Sequence, residues 1–165
     1  MITKTVVDRM NEQIAHELYS GYLYLAMSAY FEAENLPGFA HWMRIQASEE
    51  QAHAMKFYNF ILDRGGKVVL KAIQEPPADF ASPQAVFSQA YEHEQKVTGL
   101  INDLYNLALS EKDTASQVFL HWFIEEQVEE EKNASQIMEM LKKVDTAVGG
   151  LYQLDHQLGK RGDED

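Results

Sequence analysis

Cysteine is absent from the sequence, and tryptophan and proline are scarce, with two and four residues. Without thiols the chain forms no disulfide, no thiolate metal site and no cysteine nucleophile, so oxygen and imidazole would have to hold any metal. Positive charge is also sparse, because 14 Lys and Arg stand against 26 Asp and Glu, for a formal net charge of -12. This balance argues against a sequence-independent nucleic-acid binder and suits a protein that attracts cations.

Long apolar runs are missing too. The most apolar stretch, residues 22–31, is too short to span a bilayer, and the first residues lead into an amphipathic segment instead of a signal-type apolar core. We therefore predict no membrane partner and a cytoplasmic location.

The chain has 165 residues, of which 45% are hydrophobic, and this predicts a single domain over residues 1–165 with a full core.

Four long amphipathic segments are separated by turn and cap signals. Apolar residues recur at three- and four-residue steps within each segment, which is typical of a helix with one buried face. Ser82-Pro83 and Asp113 are helix-start signals, and Gly65-Gly66 is a helix-end signal. The predicted helices span about 4–35, 37–64, 83–110 and 114–144, followed by a short fifth helix at about 147–159 and a polar tail at 160–165.

The connection between the second and third helices is longer than most loops, at roughly 18 residues. Fully extended, it reaches about 55 to 60 Å, whereas a helix of about 28 residues is only ~42 Å long. It can therefore run the whole length of the bundle and make helices two and three parallel. The predicted fold class is all-α: a four-helix bundle with one long crossover, plus the short C-terminal helix.

A carboxylate interrupts the apolar seam near the middle of each long helix. These residues are Glu17, Glu50, Glu94 and Glu130. An ionised carboxylate in an apolar interior costs several kcal/mol unless it is paired, hydrogen-bonded or bound to a metal, so four of them need a common cause. Their four negative charges are what two divalent cations would neutralise, and we predict a buried metal site at this level of the bundle.

Other polar residues lie on or beside the seam. Glu50 and His53 form a Glu-x-x-His pair that points both side chains the same way, although such a pair alone is weak evidence. Gln127 and Tyr24 face the same interior, where a tyrosine with a satisfied hydroxyl is the plainer explanation of Tyr24. Glu49, Glu126 and Glu129 flank the seam, and they form either a second, more exposed cation site or ordinary surface charge.

Several motifs together resemble the bacterial non-haem ferritins over essentially the whole chain. They are Asn11-Glu12-Gln13, Glu17, Tyr24, Glu49-Glu50-Gln51-Ala52-His53, Tyr91-Glu92-His93-Glu94, the stretch 122–131 and Gly150-Leu151-Tyr152. The resemblance implies a ferritin-like fold, a shell of 24 subunits around an iron-mineral cavity and a ferroxidase centre inside each bundle. Bacterioferritins fit less well, since their second Glu-x-x-His and haem-ligating Met are replaced here by Gln127-x-x-Glu130 and Gln51, and no haem is expected.

The resemblance also implies a role for each site residue. Glu17, Glu50 and His53 would hold a first iron, and Glu50, Glu94 and Glu130 a second, with Gln127 beside it. A third iron site would be formed by Glu49, Glu126, Glu129 and Glu130. Its aromatic neighbours would be Tyr24 and Trp122.

Two functions follow from these observations. The first is an iron-storage ferritin that oxidises Fe2+ to Fe3+ at a di-iron ferroxidase centre with O2 or H2O2. The alternative is a non-catalytic acidic helical-bundle assembly that buffers divalent metal.

Overall fold

The computed structural model describes residues 2–144 and 148–162. Within them the chain forms five helices: α1 Lys4–Ala33, α2 Pro37–Asp63, α3 Pro83–Ser110, α4 Thr114–Val144 and α5 Val148–Leu158. The predicted all-α fold class is confirmed. The predicted start of the fifth helix at residue 147 and the tail residues 163–165 lie outside the described residues. Among the described residues, no helix combines the length and apolar character that a membrane span requires.

Side-chain caps set where three helices begin. The Thr3 hydroxyl accepts a hydrogen bond from the Val6 amide, and the Ser82 hydroxyl accepts one from the Ala85 amide. At α4 the Asp113 carboxylate accepts from the Ser116 amide at 3.2 Å, as the sequence predicts. Each cap satisfies an amide that has no partner in the first turn of its helix.

The directions of the helices follow from which residues meet. The start of α1 lies beside the end of α2 and the end of α3, and the start of α3 lies beside the end of α1. The contacts are Glu17 with His53, Ser28 with Ala40, Tyr24 with Glu94, Phe31 with Phe87, Thr98 with Glu131, and Ala108 with Gln117. α1 is thus antiparallel to α2 and α3, α3 is antiparallel to α4, and α2 and α3 run parallel.

The segment between α2 and α3 runs along α1. Near its start, the Asn11 side-chain amide donates to the Lys67 carbonyl at 3.0 Å, and the Asn11 side-chain oxygen accepts from the Val69 amide at 2.9 Å. Near its end, the Phe80 ring contacts the Tyr30 ring. Since Asn11 and Tyr30 lie near opposite ends of α1, the predicted long crossover is confirmed.

Two apolar clusters fill the bundle, one on each side of its middle. One contains Phe31, Phe39 and Phe87, and the other contains Phe57 and Phe123. Polar side chains that are almost fully buried lie between the two clusters. The bundle therefore has enough apolar surface at both ends to tolerate a polar layer at its centre.

α5 contacts the start of α2 closely. Leu154 and Leu158 are buried with the first apolar cluster. The Asp155 carboxylate accepts a hydrogen bond from the Phe39 amide at 3.0 Å, where α2 has no side-chain cap of its own. Gly38 permits this contact, because a Cβ atom there would lie 1.7 Å from the Asp155 carbonyl oxygen.

Candidate metal centre

Each of the four long helices contributes one carboxylate to the polar layer. Glu17, Glu50, Glu94 and Glu130 are all buried, with at most 4% of their surface exposed. Their ligand atoms form two groups in which all atoms lie within 4.8 Å of one another: Glu17, Glu50 and His53, and then Glu50, Glu94 and Glu130. Glu50 belongs to both groups, so it has the position of a shared ligand.

The first group is centred on His53. The His53 Nδ1 atom lies 3.3 Å from Glu50 Oε2 and 3.9 Å from Glu17 Oε2. The Gln13 amide donates to Glu17 Oε1 at 2.7 Å, whereas Glu17 Oε2 is buried without a hydrogen-bond partner among the described residues. An unpartnered buried carboxylate oxygen is costly, and a bound cation would remove that cost.

The second group is oriented by neutral donors. The Tyr24 hydroxyl donates to Glu94 Oε1, and Gln127 Nε2 donates to Glu94 Oε2 at 3.1 Å. Gln46 Nε2 donates to Glu130 Oε2 at 2.7 Å and to Glu50 Oε1 at 3.3 Å. These donors contact both oxygens of Glu94 but only one oxygen each of Glu130 and Glu50, and they orient the carboxylates as outer partners of metal ligands do.

A third group extends toward the surface. His53, Glu126 and Glu130 have ligand atoms within 4.8 Å of one another, and the Glu126 side chain is 26% exposed. The groups found among the described residues include neither Glu49 nor Glu129. Glu49 is half-buried and forms an ion pair with Arg161, and Glu129 is exposed.

Burial sets the protonation of the carboxylates. It raises the pKa of Glu94 to about 7 and that of Glu130 to about 8, and the neighbouring glutamates add to the rise at both residues. Burial likewise raises the pKa of Glu17 and, together with the charge of Glu94, raises that of Glu50 well above its usual range. A cation that binds here must therefore displace protons.

His53 responds in the opposite way. Burial lowers its pKa, but the nearby carboxylates of Glu126, Glu50 and Glu17 outweigh burial and raise it to about 11. The protonated imidazole is thus the internal cation of the metal-free site. It must lose its proton before a ring nitrogen can bind a metal.

Comparison with known proteins places this geometry in a family. The ferritin-like domain model matches residues 7–144 of the chain. The chain belongs to the ferritin-like family. Curated relatives of this ferritin include the bacterial non-heme ferritin of Bacteroides fragilis, which is 42% identical over 98% of this chain and 100% of the relative. The bacterial non-heme ferritin of Staphylococcus aureus is 36% identical over 98% of this chain and 97% of the relative.

Solved structures agree with this assignment. An open-pore ferritin from Archaeoglobus fulgidus is 45% identical to this ferritin, with a TM-score of 0.97 over 98% of this chain and 100% of that chain. A humanized archaeal ferritin is 42% identical, with a TM-score of 0.99 over the full length of both chains. The predicted ferritin-like four-helix bundle and the predicted family are confirmed.

Some residues of the site were missed by the sequence prediction. Gln46 lies on the apolar seam of α2, and this polar interruption was a usable signal for a buried donor. Gln13 lies one helical turn before Glu17, which is a weaker signal of the same kind. Arg161 follows α5 and has no local pattern that connects it with residues more than a hundred positions earlier.

The aromatic neighbours of the site differ in burial. Tyr24 is 1% exposed, and burial together with the charge of Glu94 raises its pKa well above 10. Trp122 is 36% exposed, and its ring centroid lies 5.3 Å from that of His53. Tyr24 therefore keeps its proton and donates a hydrogen bond to Glu94, while Trp122 covers one side of His53.

Proposed function

We propose that this ferritin oxidises Fe2+ to Fe3+ at two adjacent iron positions inside each bundle and stores the ferric product. Iron storage and ferrous oxidation are general to bacterial non-haem ferritins, and the family assignment supports both. The decisive observation is that Glu50 belongs to two ligand groups that use different helices. The first iron would be held by Glu17, Glu50 and His53, and the second by Glu50, Glu94 and Glu130.

The electron balance accounts for a site with two positions. Each Fe2+ gives up one electron, and O2 with two electrons and two protons becomes H2O2, or H2O2 with the same additions becomes two waters. Holding both reductants on one carboxylate allows a two-electron reduction without a free radical product. Tyr24 and Gln127 would orient Glu94, and Gln46 would orient Glu130.

Iron would leave or enter on the Glu126 side. The group of His53, Glu126 and Glu130 combines one half-buried carboxylate with two buried ligands of the centre, and this supports a transit position for iron. Glu49 and Glu129 remain predicted members of a third iron site. The exposed Glu129 carboxylate would lower the local electrostatic potential for an approaching cation, whereas the charge of Glu49 is paired with Arg161.

Assembly into a shell of 24 subunits is part of the proposal. The outer face of α1 and α2, together with the crossover segment, has a shallow apolar cavity of about 300 Å³. Its lining includes Leu18, Tyr22, Leu25, Ala47 and Ile73, and Tyr22 and Leu25 are about half exposed. Such a surface is typical of a protein–protein interface.

We also propose that residues 1–165 act as one domain, and the cytoplasmic location stays a prediction.

Substitution of the central ligands tests the function. Glu50→Ala and His53→Ala are expected to slow fast oxidation at two Fe2+ per subunit by at least ~100-fold, since even outer partners of metal ligands cost 10–100-fold. Stopped-flow absorbance after mixing anaerobic Fe2+ protein with O2 measures the rate. Glu125→Ala is the matched control, because Glu125 is an exposed acid on α4 outside the ligand groups.

The same experiment separates catalysis from metal buffering. Fe2+ binding in an anaerobic titration without rapid O2 consumption would favour the buffering alternative. Unchanged fast kinetics in both ligand variants would rule out the proposed centre.

A further inference from the structure

The segment after α5 places a guanidinium beside the metal centre. Arg161 Nη2 donates to Glu49 Oε2 at 2.6 Å, and Arg161 Nη1 donates to Gln46 Oε1 at 3.0 Å. The guanidinium also lies 4.5 Å from the centre of the Trp42 ring. The side chains of Arg161 and Glu49 are only 17% and 20% exposed, so the ion pair is largely shielded from water.

The backbone of this segment is fixed as well. The His41 ring Nε2 atom lies 2.8 Å from the Arg161 carbonyl oxygen, and Arg161 Nη1 also contacts the Trp42 carbonyl. Two acceptors, an aromatic face and a backbone contact thus define one position for the arginine. A planar fork of donors suits such a set of acceptors better than a flexible lysine does.

The contact with Gln46 has a consequence for the carboxylates. An arginine offers donors only, so the amide atom of Gln46 that faces it must be the oxygen. The amide nitrogen must then face the other way, toward Glu130 Oε2 and Glu50 Oε1. If the amide were reversed, its oxygen would face two carboxylates and its nitrogen would face a cation, which is unfavourable on both sides.

We propose that Arg161 is a positioning residue of the metal centre, which acts through the Gln46 amide on Glu130 and Glu50 and holds Glu49 in an ion pair. The inference rests on the proposed function, because it assigns a role toward the same iron site. It makes the segment after α5 part of the centre, although 115 residues separate Arg161 from Gln46. It also means that a fixed cation already neutralises Glu49 before iron approaches.

Anaerobic titration with Fe2+ tests the proposal. Arg161→Met keeps an aliphatic side chain against Trp42 and removes every donor, and it is expected to weaken Fe2+ binding by ~10-fold. Lys160→Met is the matched control, since it removes one positive charge from the neighbouring position and should leave the affinity unchanged. Gln46→Leu alone should weaken binding to a similar degree.

A double-substitution cycle separates positioning from a general loss of structure. If Arg161 acts through Gln46, Arg161→Met should have no further effect on Fe2+ affinity in the Gln46→Leu background. An equal loss of affinity in both backgrounds would overturn the proposal, as would an affinity for Arg161→Met equal to that of Lys160→Met. Circular dichroism and native mass confirm that the compared variants are folded and assembled.

Failure of the inference is distinguishable from failure of the proposed function. If His53→Ala loses Fe2+ binding while Arg161→Met binds normally, the iron site stands and the role of Arg161 is wrong. If the unchanged protein shows no Fe2+ binding at the centre, both are wrong.

Discussion

Buried glutamates in this bundle keep their protons at pH values at which exposed glutamates have lost theirs. Burial places the pKa of Glu94 at about 7 and that of Glu130 at about 8, against an ordinary value of 4.5. Near neutral pH the metal-free centre is therefore partly protonated. Iron binding and proton release are coupled at this site, so both the affinity for iron and the stability of the bundle depend on pH.

We predict that the metal-free protein loses stability as the pH rises from about 4.5 to about 8. Between these limits the folded state binds more protons at Glu94 and Glu130 than the unfolded chain does, so the free energy of unfolding falls with increasing pH. The raised pKa of His53 acts in the same direction above 6.5. The loss is on the order of several kcal/mol, since one pKa unit corresponds to about 1.4 kcal/mol and the pKa values of both glutamates rise by more than two units.

Calorimetric melting of the metal-free and Zn2+-saturated protein at pH 5 and pH 8.5 measures this effect. Zn2+ should raise the melting temperature more at pH 8.5, where fewer protons compete with it. Glu130→Gln should flatten the pH dependence, whereas the exposed Glu125→Gln should leave it unchanged. A melting temperature of the metal-free protein that rises steadily with pH would contradict the prediction.

Individual residues of the site were predictable to different degrees. Glu17, Glu50, Glu94 and Glu130 interrupt apolar seams, and helical periodicity alone is enough to bring them together in space. Their role as iron ligands stays a prediction. Arg161 was not predictable, because its contacts with Glu49 and Gln46 depend on how α5 packs and not on any local pattern.

At the scale of helices, α5 completes α2. The carboxylate of Asp155 provides the cap that Leu36 does not provide, and its negative charge lies at the positive end of the helix dipole. The close approach at Gly38 makes this contact sensitive to a single methyl group. The position of α5 therefore affects the helix that carries Glu50 and His53.

Gly38→Ala is predicted to destabilise the protein by ~1–3 kcal/mol, the usual cost of overpacking. Its Cβ atom would overlap the Asp155 carbonyl oxygen, so α5 must move away from α2. Hydrogen exchange of the α5 amides measures the displacement, and chemical denaturation measures the stability.

Gly99→Ala is the matched control in α3. A Cβ atom there meets nothing within 4 Å, and replacing a helical glycine by alanine should stabilise the protein by about 0.5–1 kcal/mol. If Gly38→Ala and Gly99→Ala had equal effects on the hydrogen exchange of the α5 amides, the contact at Gly38 would not determine the position of α5.

Helix positions were predicted well because capping residues and apolar periodicity are local signals. Ser82 and Asp113 cap the helices where the sequence indicates, and Thr3 caps α1 directly before its predicted start near residue 4. A glycine inside a helix suggests that a neighbouring backbone approaches closely, and this holds for only one of Gly21 and Gly99. Gly21 does approach another helix, with a Cβ position 3.1 Å from the Ala47 carbonyl oxygen, but Gly99 has open space. A glycine in the sequence does not reveal which face of the helix it occupies.

At the scale of the whole molecule, a formal net charge of -12 is combined with a partly exposed apolar face. A strongly acidic chain would repel its own copies, and apolar contact area must offset this repulsion if subunits assemble. The apolar cavity between α1, α2 and the crossover segment is a candidate for that contact area.

Leu25→Glu is predicted to dissociate the assembly into smaller species, because it places a charge in this apolar surface. Sedimentation velocity and native mass measure the change. Asn106→Asp adds the same charge at an exposed position of α3 and should leave the assembly intact. An unchanged particle mass for Leu25→Glu would show that this face is not an interface.

The cap that Asp155 gives to α2 also bears on how the chain matures during translation. Phe39 is translated 116 residues before Asp155, whose carboxylate accepts the hydrogen bond of the Phe39 amide. Until the last part of the chain emerges, the helix with Glu50 and His53 lacks its final N-terminal partner. A nascent or C-terminally truncated subunit would therefore lack one N-terminal hydrogen bond of its iron-binding helix, at a cost of about 1 kcal/mol.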